Sequence, residues 1–87
     1  MTEQEVFDGL KKIIEQNSPR NGRPSTLSME TNLEKLGIDS AHRFDILLET
    51  EEAFGITIEE QAFGKVQRLG DLVSLVHEEI LIAEGHH

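Results

Sequence analysis

Ser40 is the residue in this chain best placed to take part in bond chemistry. It follows Asp39 and opens a periodic segment over residues 40–54. Aspartate is a good helix N-cap. With Asp39 capping, Ser40 becomes the first helical residue and its hydroxyl is free to point outward. A helix start presents unpaired N–H groups and a partial positive charge, which suit a phosphodiester. Local physics alone favours a plainer reading, in which Ser40 is itself the N-cap and nothing more. His42 does not make Ser40 a catalytic nucleophile, because residues two apart on a helix do not face each other. No third residue is placed to orient a base. A Gly-x-Ser-x-Gly elbow and an EF-hand loop spacing are both absent. Cysteine is absent too, which excludes disulfides and thiolate metal sites. The pairs Glu51-Glu52, Glu59-Glu60 and Glu78-Glu79 read as solvated faces, and His77 as a helix-surface residue. No catalytic residue and no metal site is expected, and the chain is read as a non-enzyme.

The elements that must position Ser40 are helical. A first helix is expected over residues 3–16. Thr2 and Glu5 have capping-box spacing, and Val6, Leu10, Ile13 and Ile14 recur at helical period with Phe7 on the flank. Residues 17–25 read as loop, holding Pro19, Pro24, Arg20 and Arg23. The connection runs on to residue 39. Leu27, Leu33, Leu36 and Ile38 suggest that it packs across the bundle, and so long a loop in a small domain is usually functional. The second helix spans residues 40–54 and Gly55 ends it. A short helix is expected over residues 59–64 and a last one over residues 69–83. The last carries Leu69, Leu72, Val73, Val76 and Ile80 on one stripe with Leu81 at its edge, and Asp71 as a first-turn dipole partner. The fold class is therefore all-α: a small four-helix bundle, three longer helices and one short, with a long first loop. Residues 1–83 form the one domain. Residues 84–87 are a tail in which His86 and His87 read as the stub of an affinity tag.

The second helix divides on a wheel of about 100° per residue. Ile46, Leu47, Thr50, Ala53 and Phe54 share a core arc, with Arg43 the one charge at its solvent end. Ala41, Phe44 and Leu48 make a second apolar set, surrounded by Asp45, Glu49, Glu51 and Glu52. A thin bundle does not easily bury both faces of one helix. Periodicity leaves two readings open: an exposed apolar strip rimmed with acid, which marks a partner site, or Phe44 and Leu48 folded beneath the long loop.

Size and charge set the outer bounds. Eighty-seven residues allow one domain with a thin core and no internal active-site cleft. Seventeen acidic against eight basic residues give a formal charge of −9. Nucleic acid and anionic membranes repel such a surface, and basic protein partners are attracted to it. No apolar run approaches the roughly 20 residues that span a bilayer. Residues 1–6 are polar and unlike a signal peptide. A monomer in the cytoplasm is the resulting expectation.

The string Leu36-Gly37-Ile38-Asp39-Ser40 resembles the phosphopantetheine attachment motif of acyl carrier proteins, roughly Leu-Gly-x-Asp-Ser-Leu. The resemblance extends to Thr31-Asn32-Leu33-Glu34-Lys35-Leu36 before the motif, to residues 49–58 after it, and to residues 66–73 at the start of the last helix. Residues 40–76 align without a gap. The resemblance implies a covalent 4′-phosphopantetheine on Ser40, placed there by a phosphopantetheinyl transferase to which Asp39 helps present the serine. It implies thioester-bound acyl groups passed between enzymes that carry basic patches. Ala41, Arg43, Phe44, Asp45, Leu48, Glu49 and Glu52 fall on the family's partner-recognition helix.

The chain departs from the family pattern at several points. Ala41 replaces the usual leucine, His42 and Arg43 stand where acidic or small polar residues are common, and Phe44 is larger than the usual aliphatic. These leave the attachment site intact and favour a specialised pathway over general fatty-acid synthesis, with Arg43 influencing partner choice. The rival expectation is an unmodified, carrier-like helical module that binds a basic partner through Phe44 and Leu48.

Overall fold

The computed structural model describes residues 1–17, 27–36, 38 and 40–85. Among the described residues four helices follow in order: α1 (Glu3–Asn17), α2 (Ser40–Phe54), α3 (Glu60–Gly64) and α4 (Leu69–Gly85), with a 3-10 turn at Leu33–Leu36 between α1 and α2. Helix α1 packs against both α2 and α4, and α3 against α4. The all-α class and the three-long, one-short pattern are as expected. Most of the expected first loop, residues 18–26, the Gly37 and Asp39 positions before Ser40 and the tail histidines His86 and His87 lie outside the described residues.

Local chemistry sets the helix ends. Thr2 and Glu5 close a reciprocal capping box: the Glu5 amide donates to Thr2 Oγ1 at 3.2 Å and the Thr2 amide to Glu5 Oε1 at 2.8 Å. Asn17 belongs to α1 and not to the loop. Its side-chain Nδ2 donates to the Ile13 carbonyl at 2.8 Å, so the last turn keeps a donor that a plain loop residue would not supply. Gly55 ends α2 with φ of +67°, the left-handed cap for which glycine is suited. Glu59 precedes α3 in an extended conformation and is outside the helix. Asp71 does more than face the dipole. Its Oδ2 accepts from the Arg68 amide at 3.1 Å and the Gln67 amide at 3.4 Å, half of a capping box at the start of α4. Helix α4 runs two residues past the expected end at residue 83.

The core is the set of stripes read from period, closed by the connection. Val6, Leu10, Ile13 and Ile14 of α1 meet Ile46 and Leu47 of α2 and Leu69, Leu72, Val73, Val76 and Ile80 of α4. Leu27, Leu33 and Ile38 are buried among them, so the described part of the long connection crosses the bundle as packed structure. Three expected core positions differ, Phe54 being only partly buried where it packs against the core. Ala53 is exposed: it falls about 20° beyond Ile46 on the Glu49 side, and its methyl is too short to reach the seam. Leu81 is exposed, while Ile80 holds the buried position beside it.

The connection is tied to α4 by backbone. Leu33 donates to the Gln67 carbonyl at 2.9 Å, Leu69 to the Thr31 carbonyl at 2.9 Å and Gly70 to the Met29 carbonyl at 2.7 Å, around an isolated antiparallel bridge between Asn32 and Arg68. A Cβ on Gly70 would sit 2.8 Å from the Met29 oxygen, so only glycine permits this approach. Asn32 also caps the 3-10 turn, accepting from the Glu34 amide at 2.8 Å through Oδ1. These bonds fix the segment that delivers the chain to Ser40.

Candidate functional site

Ser40 is the first residue of the 15-residue helix α2 and its side chain is exposed. The helix start therefore presents a hydroxyl to solvent, in the partial positive field of the unpaired amides of its first turn. Beside it lies an open cleft of about 230 Å³ between α2 and α3, lined by Ser40, Arg43, Phe44, Leu47, Glu60 and Phe63. Among the described residues the carboxylate that lines the cleft, Glu60, is exposed, so a singly charged ester on Oγ would meet no buried acid there. The site fits a phosphodiester-linked arm.

The apolar strip of α2 faces outward. Phe44 is 48% exposed and Leu48 47%, against 4% for Leu47, about 60° round the helix from Phe44 toward the core. Ala41, Asp45 and Glu52 are exposed with them. Of the two readings left open by periodicity, the structure takes the exposed one. Its acids are not equivalent, however. Glu49 is half-buried and accepts from Asn17 Nδ2 at 3.1 Å, which ties α2 to the end of α1. Glu51 is not a merely solvated acid: its Oε2 accepts from the Ile58 amide at 2.8 Å and pins the turn after α2. Asp45 and Glu52 are the acids of the rim that remain exposed.

Arg43, grouped with the partner-facing residues from sequence, turns elsewhere. On the wheel it lies near the middle of the buried arc and not on the Phe44–Leu48 strip. Its Nη2 donates to the Val66 carbonyl at 2.9 Å and more weakly to the Phe63 carbonyl at 3.5 Å. Its guanidinium carbon lies 5.5 Å from the centroid of the Phe63 ring, a cation–π contact. Both carbonyls lie at or just after the C-terminal end of α3, where the Phe63 carbonyl also accepts from the Val66 amide at 3.1 Å. Arg43 thus joins α2 to α3 across the cleft. The sequence signal that could have found this was the position of a charge inside an otherwise apolar arc. Thr50, placed on the core arc from sequence, is wholly buried, with no hydrogen-bond partner for Oγ1 among the described residues.

Among the described residues no group of three or more His, Asp or Glu could hold a metal ion, and no helix is long and apolar enough to cross a membrane.

The family model described as "Phosphopantetheine attachment site" matches residues 9–76. The chain is 31% identical over 74 residues to the acyl carrier protein of Streptococcus pneumoniae, covering 85% of this chain and 95% of that one. It is 28% identical over 78 residues to the meromycolate extension acyl carrier protein of Mycolicibacterium smegmatis, covering 88% and 77%. It is likewise 28% identical over 78 residues to the mitochondrial acyl carrier protein of Dictyostelium discoideum, covering 90% of this chain but only 63% of that protein's length. The crystal structure of an acyl carrier protein from Thermotoga maritima superposes with a TM-score of 0.79 at 20% identity, covering 93% of each chain. The solution structure of the acetyl actinorhodin acyl carrier protein from Streptomyces coelicolor does so with a TM-score of 0.73, also at 20% identity, covering 88% of this chain and 92% of that one. These two structures share the fold. The class the bundle and its exposed serine define is that of a carrier, not an enzyme. This chain belongs to the phosphopantetheine-binding acyl carrier protein family, whose prosthetic group is a covalently attached 4′-phosphopantetheine.

Proposed function

We propose that this chain carries acyl groups as thioesters on a phosphopantetheine arm joined to Ser40, and passes them between enzymes of a fatty-acid-like or specialised biosynthetic pathway. The observation that carries the reading is the exposed Ser40 hydroxyl at the start of α2, beside an open cleft. Oγ of Ser40 forms the ester bond to the pantetheine-side phosphorus of coenzyme A, the pyrophosphate P–O bond breaks so that 3′,5′-ADP leaves with the bridging oxygen, and the hydroxyl proton passes to a base of the transferase. The phosphopantetheine thiol supplies the thioester link to the acyl group. The chain's own contribution is to hold the hydroxyl clear of the bundle and to offer the transferase a docking surface. Asp39 precedes Ser40 in sequence and is proposed to help present it.

The docking surface is Phe44 and Leu48 with Ala41, rimmed by Asp45, Glu49 and Glu52. Apolar anchors supply most of the affinity of such a patch, and rim charges mainly set encounter rate. A partner therefore carries an apolar pocket edged by lysine or arginine. The reading has the protein working as a monomer in the cytoplasm, its formal charge of −9 keeping copies apart.

The test is intact mass after incubation with coenzyme A, magnesium and a broad-specificity phosphopantetheinyl transferase. The wild type should gain one phosphopantetheine and Ser40→Ala none, with unchanged circular dichroism. A gain by the alanine variant moves the attachment site elsewhere. No gain by the wild type leaves the unmodified interaction module as the better account of the exposed strip.

A further inference from the structure

Ser40 and Arg43 stand three positions apart on α2, so their side chains are neighbours on one face of the helix. Both line the cleft between α2 and α3. Helical side chains lean toward the N-terminus of their own helix, which tilts Arg43 back over the turn that Ser40 begins. A group on Oγ of Ser40 therefore enters the space beside the guanidinium.

Arg43 is held there in advance. Its Nη2 donates to the Val66 carbonyl at 2.9 Å, and its guanidinium carbon lies 5.5 Å from the centroid of the Phe63 ring. A guanidinium fixed by its surroundings gives up little further freedom on meeting an anion. Its planar fork matches phosphate oxygens, and a charge-assisted bond of this kind is about twice as strong as a neutral one. A phosphodiester stays anionic at neutral pH. Tethered three residues away, it reaches the guanidinium at a high effective concentration, so it displaces water and competes with neutral acceptors. The charges around the cleft favour the same side. Glu60 lines the opposite wall with an exposed carboxylate, which repels the phosphodiester. Lys65, just past α3, is exposed and outside the cleft lining.

We infer that Arg43 binds the phosphodiester on Ser40 and turns the root of the arm toward α3. This rests on the reading of Ser40 as the attachment point. It gives the arm a fixed side of exit. Phe44 and Leu48 lie about 100° and about 140° round the helix from Arg43. An arm that starts toward α3 leaves that outward strip clear for a partner.

The experiment loads isotope-labelled protein from coenzyme A with a broad-specificity transferase, and intact mass follows the loading. Failure to load removes the attachment reading, and the inference with it. Once loading is complete, the phosphorus resonance of the arm is compared among variants at low salt. Arg43→Gln should shift it from its wild-type position, Arg43→Lys should recover part of the shift, and Lys65→Gln should leave it in place. Near 1 M salt, where the Debye length is about 3 Å, wild type and Arg43→Gln should converge. A phosphorus resonance that Arg43→Gln does not move, or that Lys65→Gln moves as far, overturns the inference. Arg43→Gln also removes the link to α3, so a second measurement uses the wild type alone. Loading should move the Arg43 Nε–H resonance and the amides of Phe63 and Val66, and leave the Leu48 amide in place. An Arg43 resonance indifferent to loading, or changes centred on Leu48, overturns the inference even if the variant misfolds or does not load.

Discussion

Replacing Phe44 and Leu47 by alanine, one at a time, tests whether α2 presents the face on which partner docking depends. The two residues sit on the same helix three positions apart and differ in burial, at 48% and 4% exposure. Complete burial of a phenylalanine side chain is worth about 1.5–3 kcal/mol. With about half of that realised, Phe44→Ala should lower the free energy of unfolding by about 1 kcal/mol. Leu47→Ala loses a nearly complete burial and leaves a void, at about 2–5 kcal/mol. Against a total of roughly 5–15 kcal/mol for a domain, the second loss is a large fraction and the first is tolerable. Urea unfolding of the unloaded proteins, followed by circular dichroism, measures both. The functional ranking should be reversed. Phe44→Ala removes an anchor of the strip, and an anchor worth about 2 kcal/mol corresponds to roughly a thirtyfold loss in transfer efficiency. Transfer should be assayed at a temperature where both variants are folded. If Phe44→Ala destabilises as much as Leu47→Ala, the strip is core and the docking surface lies elsewhere.

Thr50→Val replaces a buried, unpartnered hydroxyl by a methyl of similar shape, so stability should rise by about 1 kcal/mol and Tm by roughly 4–8 °C; a fall would mean that Oγ1 is hydrogen-bonded in solution. Gly70→Ala should gain about 1 kcal/mol of helix propensity but forces a Cβ to within 2.8 Å of the Met29 carbonyl. A net loss of about 1–3 kcal/mol is expected, with faster amide exchange at Leu69 and Gly70; an unchanged melt would show that the connection yields freely. Asp45→Lys with Glu52→Lys reverses the exposed rim without touching Glu49, which is engaged by Asn17. The double variant should slow transferase loading on the order of tenfold at low salt, and the difference should vanish near 1 M salt, where the Debye length is about 3 Å. A deficit that persists at high salt would assign these acids a contact role.

Most of the fold was legible because it follows from period and punctuation. Val6, Leu10, Ile13 and Ile14 recur at helical spacing, Thr2 and Glu5 signal the start of α1, and Gly55 the end of α2. Those signals are local, and the structure keeps them. What was not legible depends on contacts between segments far apart in sequence. The period of α2 could place Ala53 on an arc but could not say how wide the seam with its neighbours would be. Nothing near Asn17 or Glu51 announces their bonds to Glu49 and Ile58, 32 and 7 positions away. The ties from Met29, Thr31 and Leu33 to the start of α4 run through backbone atoms, which carry no residue-type signature. The site divides in the same way. Ser40 and the Phe44–Leu48 strip are properties of one helix and could be read from it. Arg43 depends on where α3 lies, and a five-residue helix following a loop does not fix its own position.

Helix α2 is therefore asked to do three things along three directions, and their separation explains why the unexpected arginine is tolerated. Ile46, Leu47 and Thr50 anchor it to the bundle. Phe44 and Leu48 face outward and are half-exposed. Ser40 occupies the N-terminal end, where the helix dipole favours an attached anion. A cation on the outward strip would oppose partners with basic rims and would reduce steering. Placed instead near the middle of the core arc, one turn beyond Ser40, Arg43 leaves the outward face to Asp45 and Glu52. Its charge is met by the carbonyls of Phe63 and Val66 and by an aromatic ring. The position costs nothing in docking and puts a hydrogen-bond donor in the wall of the cleft nearest the attachment residue. The departure from the family pattern at Arg43 thus bears first on how α2 is joined to α3.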